Sequence, residues 1–125
     1  MNQNKSLTDS QTTLNELKEL VSDFIADRNW QQYHTPRNIA VSVTLEAAEL
    51  LEHFQWVPPA PSEISQEKKQ QIEEELSDVL AYLLSLANVL EIDVSDALAK
   101  KMVKNRRKYP ENEYNGNWKN PDFEN

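Results

Sequence analysis

The chain contains no cysteine, so it can form neither a disulfide nor a metal site built on thiolates. No apolar stretch approaches the length needed to cross a bilayer, and a membrane partner is therefore not expected. The first residues, MNQNKSLTDSQ, carry neither the basic start nor the apolar middle of a secretory signal. We therefore expect a cytoplasmic protein.

Positive charge is also scarce. Lys and Arg number 13 against 21 Asp and Glu, and the net charge is −8. This balance argues against nucleic acid as a partner, because phosphate backbones would be repelled. A phosphorylated small molecule would be repelled in the same way, unless a metal ion or a local group of basic residues reversed the potential. Six of the basic residues lie close together, between Lys100 and Lys108.

Helix-breaking residues are confined to a few positions: Gly116 is the only glycine, and the six prolines stand at 36, 58, 59, 61, 110 and 121. Between these positions, apolar residues recur at helical spacing in four segments. The predicted helices run from between Thr8 and Thr13 to about Asn29, from Thr35 to about Trp56, from about Ser65 to Val89, and from Asp93 or Ser95 to just before Pro110. We predict one all-α domain over residues 1–110, a four-helix bundle, and an irregular tail over residues 111–125.

Two acids interrupt an otherwise apolar helix in the segment SVTLEAAELLEHFQW, residues 42–56. When residues are placed about 100° apart, Glu46, Glu49 and His53 fall in one polar strip about 80° wide. Apolar residues flank this strip on both sides. The helix is therefore expected to lie in a protein interior, where an unpaired carboxylate is costly.

The third predicted helix carries a matching polar strip, about 100° wide, that contains Glu75, Asp78 and Tyr82. A short loop makes this helix the antiparallel neighbour of the second, so the acids of both helices could face one another. Four carboxylates without cations would repel strongly in so poorly solvated a place, whereas hard divalent ions prefer an all-oxygen shell. The pattern therefore predicts a Mg²⁺ cage, with Glu46 and Glu49 opposite Glu75 and Asp78.

Two other interpretations of these acids fit the sequence less well. Acid pairs at this spacing are frequent on solvated helix faces with intrahelical ion pairs, but the second helix has no Lys or Arg after Arg37. A di-iron carboxylate bundle calls for Glu-x-x-His on two helices, whereas Glu49 and His53 are four residues apart.

Several segments resemble those of a known family, in the family's order. Glu46-Ala-Ala-Glu49, 25 further residues and Glu75-Leu-Ser-Asp78 are similar to the ExxE…ExxD metal motif of the all-α nucleoside triphosphate pyrophosphatases, the MazG-like superfamily. Four more segments resemble its dCTP pyrophosphatase branch: RNWQQYHTPRN (28–38), FQW (54–56), EELSDVLAYL (74–83) and KMVKNRRKYP (101–110). The likeness extends from about residue 14 to residue 110.

The resemblance implies an enzyme that hydrolyses a nucleoside triphosphate, with dCTP or a related pyrimidine favoured, to the monophosphate and pyrophosphate. Mg²⁺ would be held by the catalytic acids Glu46, Glu49, Glu75 and Asp78. Either Glu46 or Glu49 could act as the general base. The family's oligomeric bundles imply a homodimer or a homotetramer.

One departure from the family leaves the preferred nucleobase open. Val21 stands where dCTP-specific relatives carry a histidine, and the valine side chain cannot hydrogen-bond to a nucleobase.

Aromatic residues are candidates for holding the base. Trp30, His34 and Trp56 bracket the second helix, and aromatic rings there could stack on a base. Tryptophans are also common as core or interface residues, so this contact and a structural role are both open. The resemblance favours base contact for Trp30 and Trp56 and adds Tyr82 to the substrate-binding residues.

The fourth predicted helix places polar residues where a core residue is expected. Lys101, Asn105 and Tyr109 recur every four residues, and the resemblance implies that they contact the triphosphate and the sugar. Arg106 is a further candidate for the triphosphate. The other basic residues near this helix end need only complement its negative dipole. The alternative to an enzyme is a noncatalytic helical module that binds a nucleotide or a partner helix.

Overall fold

The structure is a computed structural model that describes residues 6–116, and all regular structure in this range is helical. The helices are α1 (Leu14–Asp27), α2 (Pro36–Glu52), α3 (Gln66–Val89), α4 (Val94–Lys108) and α5 (Glu111–Tyr114), with single 3₁₀ turns at Gln31–Tyr33 and Pro61–Glu63. The all-α prediction is confirmed. Within these residues, no helix combines the length and the apolar character that a membrane crossing requires.

Side-chain caps explain where the helices begin. Thr13 begins α1 with a capping box: its hydroxyl accepts from the Glu16 amide, and the Glu16 carboxylate accepts from the Thr13 amide. Thr35, Ser65 and Asp93 cap α2, α3 and α4, each accepting from the amide three residues further on. The predicted starts of these helices are confirmed, because they rest on chemistry local to the chain.

The end of α2 differs from the prediction. The helix stops at Glu52, four residues before Trp56, and residues 53–56 form turns and bends. After Glu52 the chain tightens, since the amides of His53 and Phe54 donate to the carbonyls three residues back, those of Leu50 and Leu51. Trp56 therefore lies beyond the helix, and it is 85% exposed.

The chain divides into two compact units, one ending at Ile92 and the other beginning at Asp93. In the first unit, α3 packs against both α1 and α2. The Asn88 side chain on α3 donates to the Lys18 carbonyl on α1 at 3.0 Å and joins these two helices through a polar contact.

The pairing of α2 with α3 is antiparallel, as predicted. Near the connecting loop, His53 at the end of α2 contacts Glu75 on α3. Farther from the loop, Glu46 on α2 lies close enough to Asp78 for their charges to interact. Residue numbers thus rise along one helix as they fall along the other, and this arrangement brings the two acid pairs together.

The second unit contains α4 and α5. The short helix Glu111–Tyr114 lies in a region that was predicted to be an irregular tail. The rings of Tyr109 and Tyr114 meet edge to face, with centroids 5.2 Å apart, and this contact holds α5 to the end of α4. The rest of the predicted tail, residues 117–125, lies outside the described residues. The four-helix bundle stays a prediction.

Little apolar surface is buried within one chain. Among the described residues, the buried ones are Ile39, Leu84, Ser85 and Ala87. Near the acids of α2, Leu50 is half-buried, but Leu45 is 60% exposed and Leu51 is 62% exposed. The expectation of an interior helix is therefore wrong for the described part of a single chain, because these apolar flanks are not covered by it.

Candidate active site

The predicted acids come together between α2 and α3. Glu46 and Glu49 lie one turn apart on α2, and Glu75 and Asp78 lie one turn apart on α3, so each pair shares one side of its helix. We call these four residues the carboxylate groove. In the described part of the chain, the Oε2 atom of Glu46 is buried and has no hydrogen-bond partner. Burial of such an oxygen is costly, which favours a proton or a cation at this point.

The protonation behaviour of Glu46 reflects these surroundings. Burial raises the pKa of the Glu46 carboxyl above its ordinary value of 4.5. A hydrogen bond to Glu49 raises this pKa further, as do the negative charges of Glu49, Asp78 and Glu75. The three other acids therefore lie within electrostatic reach of Glu46, whose carboxyl holds its proton to a higher pH than an ordinary glutamic acid.

His53 is a groove neighbour that the sequence did not identify as a site residue. Its Nε2 atom contacts the Oε2 atom of Glu75 across the interface between α2 and α3. The side chain of His53 is only 11% exposed and that of Glu75 is 26% exposed. The sequence pattern could have indicated His53, since it falls in the same polar strip of α2 as Glu46 and Glu49. The pattern of one helix does not predict the partner of His53 on α3.

The chemistry of the groove fits a hard divalent cation. Its four carboxylates supply only oxygen ligands, which Mg²⁺ prefers, and Glu46 Oε2 is a buried oxygen without a donor. As they stand, the side chains of residues 6–116 do not place three or more such ligands around a common point. A closed cage would require rotation of side chains, which the exposed Glu49 and Asp78 can undergo.

A small cavity lies farther along α3, toward its C-terminal end. Its volume is about 200 Å³, and its lining residues are Ser22, Ile25, Gln31, His34, Ser85, Asn88 and Val89. The buried Ser85 donates its hydroxyl to the Ala81 carbonyl at 2.9 Å, which leaves the hydroxyl oxygen free to accept. Ser85 follows Asp78 by seven residues on α3, which corresponds to about 10 Å along the helix axis.

His34 is the predicted substrate residue that lines this cavity. Its Nδ1 atom lies 2.8 Å from the carbonyl oxygen of Trp30, and because a carbonyl only accepts, Nδ1 carries the proton. The Nε2 atom of the neutral ring is then an acceptor. Ser85 and Asn88 were not predicted as site residues, although Ser85 follows Asp78 by two helical turns and so lies on the same side of α3.

The other predicted aromatic residues have separate surroundings. The Trp30 ring meets the Phe24 ring edge to face, with centroids 5.9 Å apart. Trp56 is largely exposed beyond the end of α2. Tyr82 is half-buried on α3, one turn past Asp78. A base held by Trp30 and Trp56 therefore stays a prediction.

The predicted substrate residues of the second unit lie on or next to α4. Lys101 is exposed, and the half-buried Asn105 has its side-chain amide 3.7 Å from the sulfur of Met102. Arg106 and Tyr109 line an open cleft of about 620 Å³ at the C-terminal end of α4. Arg106 also lies in the last turn of the helix, where a positive charge complements the dipole. Their roles as substrate contacts stay predictions.

Residues 41–120, which contain both acid pairs, match the family described as MazG-like. The chain belongs to the MazG-like family. The resemblance carried by the acid motif is thereby confirmed.

This MazG-like chain is similar to mammalian proteins described as dCTP pyrophosphatase 1. It is 41% identical to the Bos taurus protein over 104 residues, which cover 81% of this chain and 62% of that protein. It is 42% identical to the Homo sapiens protein over 101 residues, which cover 78% of this chain and 59% of that protein. The MazG-like chain thus spans about three-fifths of the length of these relatives.

A solved structure extends the likeness to the fold. A pyrophosphatase from Archaeoglobus fulgidus is 43% identical to the MazG-like chain and superposes with a TM-score of 0.72. The match covers 84% of the MazG-like chain and 99% of the archaeal chain. The helices described above therefore form a MazG-like fold.

Proposed function

We propose that this MazG-like chain is a Mg²⁺-dependent nucleoside triphosphate pyrophosphohydrolase. The reaction is hydrolysis of a nucleoside triphosphate to the monophosphate and pyrophosphate. The observation that carries the proposal is the buried Glu46 oxygen, which has no donor and lies among three further carboxylates. Such a cluster calls for a cation, and a cation in turn makes a highly negative chain able to accept a triphosphate. The similarity to proteins described as dCTP pyrophosphatase 1 supports the same reaction.

The four acids of the carboxylate groove would hold Mg²⁺. When bound, Mg²⁺ supplies charge neutralisation for phosphate oxygens and lowers the pKa of a water. The acids of the groove would have two further roles, which are to accept a proton and to coordinate the ion. Glu46, whose pKa is raised by burial and by its neighbours, would take the proton of the attacking water, and Glu49 is the alternative base. The exposed Glu49 and Asp78 would turn toward the ion.

The 200 Å³ cavity is the proposed position of the base. It is smaller than the roughly 300–1,000 Å³ of pockets that enclose drug-sized ligands, and a single ring such as a pyrimidine suits it. Ser85 offers an acceptor, and so does the Nε2 atom of His34. The cavity and the groove share α3, two helical turns apart, which is comparable with the reach of a nucleotide from its base to its phosphates. These acceptors support a preference for dCTP or a related pyrimidine.

On the second unit, Lys101 and Arg106 are proposed to contact the triphosphate, and Asn105 and Tyr109 the sugar. The support is chemical, because these residues supply cations, an amide and a phenol within a chain of net charge −8. Trp30, Trp56 and Tyr82 complete the proposed substrate contacts. We propose that the enzyme is cytoplasmic, because its proposed substrates, the nucleoside triphosphates, are found in the cytoplasm.

A homodimer or homotetramer is part of the proposal. The exposed Leu45 and Leu51 on α2, together with Leu76 on α3, which is 53% exposed, form apolar surface of the kind that chains bury on association.

Product analysis with a panel of nucleoside triphosphates tests the proposed function. In Mg²⁺ we expect monophosphate and pyrophosphate in equal amounts, with pyrimidine deoxynucleotides turned over fastest, and no products in excess chelator. Diphosphate and orthophosphate as products would overturn the reaction. Binding without turnover would favour the noncatalytic module instead.

A further inference from the structure

We infer that His53 is a positioning residue that orients Glu75 for metal binding. The inference starts from the contact between Nε2 of His53 and Oε2 of Glu75, which joins the end of α2 to the middle of α3. It rests on the proposed function, because it assigns His53 to the metal site of that function. His53 itself does not contact the substrate or the ion in this role.

The surroundings of His53 fix its ring. The side chain is 11% exposed, and the ring meets Phe54 edge to face with centroids 6.3 Å apart. The backbone of His53 also continues the hydrogen bonding of α2, with its amide donating to the Leu50 carbonyl. A ring held on several sides presents its Nε2 proton in one direction, so the Glu75 carboxylate that accepts it loses little further freedom when a ligand binds.

The contact engages only one of the two oxygens of Glu75. Oε2 accepts from His53, and the contact leaves the lone pairs of Oε1 available to an ion. The other acids differ in this respect. Glu46 shares a hydrogen bond with another acid, Glu49, and has an oxygen without any partner. Within the described residues, Glu75 is the groove acid with a basic partner, so it is the acid whose orientation the fold sets before an ion arrives.

Hydrogen-bond partners of metal ligands usually influence affinity strongly. Removal of such a partner typically weakens metal binding by about 10- to 100-fold, because the ligand must then be ordered by the metal itself. The competing interpretation is that His53 only fastens the loop after α2 onto α3. That role would affect the stability of the metal-free protein and leave the metal affinity unchanged.

Thermal unfolding of the full chain without nucleotide, followed across a Mg²⁺ titration, separates these roles. His53→Leu removes the donor at similar bulk, and His53→Gln places an amide N–H near the position of Nε2. Gln55→Leu is the matched control, since Gln55 is an exposed neighbour in the same turn. Isothermal titration with Mg²⁺ alone provides an independent affinity.

We expect His53→Leu to require an about 10- to 100-fold higher Mg²⁺ concentration for the same rise in Tm. His53→Gln should recover most of the affinity, and Gln55→Leu should match the wild type. In activity assays the KM for Mg²⁺ should rise while kcat at saturating Mg²⁺ changes little.

An unchanged Mg²⁺ midpoint in His53→Leu overturns the positioning role and leaves the proposed function standing. If the wild type itself shows no Mg²⁺ effect on Tm, the metal site of the proposed function fails, and the inference fails with it. Should His53→Leu not fold, His53→Asn replaces it, because its shorter amide cannot reach Glu75. Equal Mg²⁺ midpoints for the Gln and Asn variants then overturn the inference, and a weaker Asn variant supports it.

Discussion

The carboxylate groove and the basic stretch from Lys100 to Lys108 carry opposite charge in different surroundings. In the groove, Glu46 has a buried oxygen without a partner, and its pKa is raised by burial and by neighbouring acids. On α4 the basic side chains are exposed, and Lys100 forms an ordinary surface ion pair with Asp96 at 2.8 Å.

This difference explains why the carboxylate groove is stronger evidence for a function than the basic stretch is. Charge in water is stabilised by solvent whatever its role, and a surface ion pair contributes only about 0–1 kcal/mol. A buried carboxylate oxygen requires a compensating partner, so that of Glu46, with three further acids near it, points to a ligand of opposite charge. The groove therefore carries the functional proposal, and the basic stretch supports it.

The largest expected effect is on turnover when the groove loses an acid. Glu46→Gln or Glu75→Gln should lower kcat by about 10²- to 10³-fold or more, because a charge placed to stabilise the transition state is removed. Pyrophosphate release measures the loss, and circular dichroism should show unchanged helix content. Glu73→Gln, the same charge change on another side of α3, should retain turnover. Undiminished activity in both groove variants would place the catalytic site elsewhere.

A smaller effect is expected on α4. Asn105→Ala should lower kcat/KM, because a polar group of the substrate is left unsatisfied. The decrease should correspond to a loss of about 1–3 kcal/mol of transition-state binding. The Tm should hardly change, since the Asn105 side chain makes only a weak contact with sulfur.

Two further variants sharpen this prediction. Lys101→Ala should chiefly raise KM, because a cation for the phosphates is lost. Lys104→Ala, a neighbouring exposed lysine with no proposed substrate role, is the control and should leave KM unchanged. A destabilised Asn105→Ala protein with wild-type kcat/KM would make Asn105 a structural residue.

The pH dependence of stability should reveal the raised pKa of Glu46. The folded protein holds this proton at pH values where the unfolded chain has released it, so the folded state binds more protons above about pH 4.5. In chelator, the free energy of unfolding should therefore fall as pH rises from 4.5 through the raised pKa, by at most about 1.4 kcal/mol per pH unit. Urea unfolding at a series of pH values, with Glu46→Gln as reference, isolates this contribution. A wild type that gains stability relative to Glu46→Gln over the same range would contradict the sign.

The smallest expected effect is a stabilisation. Glu49→Gln removes one negative charge beside Glu46 and supplies an amide that can donate to it, so in chelator the variant should be more stable than wild type by roughly 1 kcal/mol. Thermal unfolding should show a higher Tm without Mg²⁺ and a smaller rise when Mg²⁺ is added. An equal response of both proteins to Mg²⁺ would remove Glu49 from the metal site.

Much of the fold was predictable because it depends on neighbours in the sequence. Thr13, Thr35, Ser65 and Asp93 start helices through bonds to residues three positions away, and the acid pairs share a helix side because of helical spacing. The end of α2 was misplaced, because the prediction placed it at the prolines, whereas the chain leaves α-helical geometry at His53, before Pro58 can act on it.

The sequence by itself determined the helical class, the starts of the helices and the two acid pairs, since each follows from local spacing and capping. Only the tertiary structure decided that one oxygen of Glu46 is buried without a partner, and that His53 meets Glu75, 22 residues away. It also decided which apolar side chains stay open, such as Leu45 and Leu51. These properties depend on how two helices pack and on which rotamers their side chains adopt, and neither is encoded in the period of a single helix.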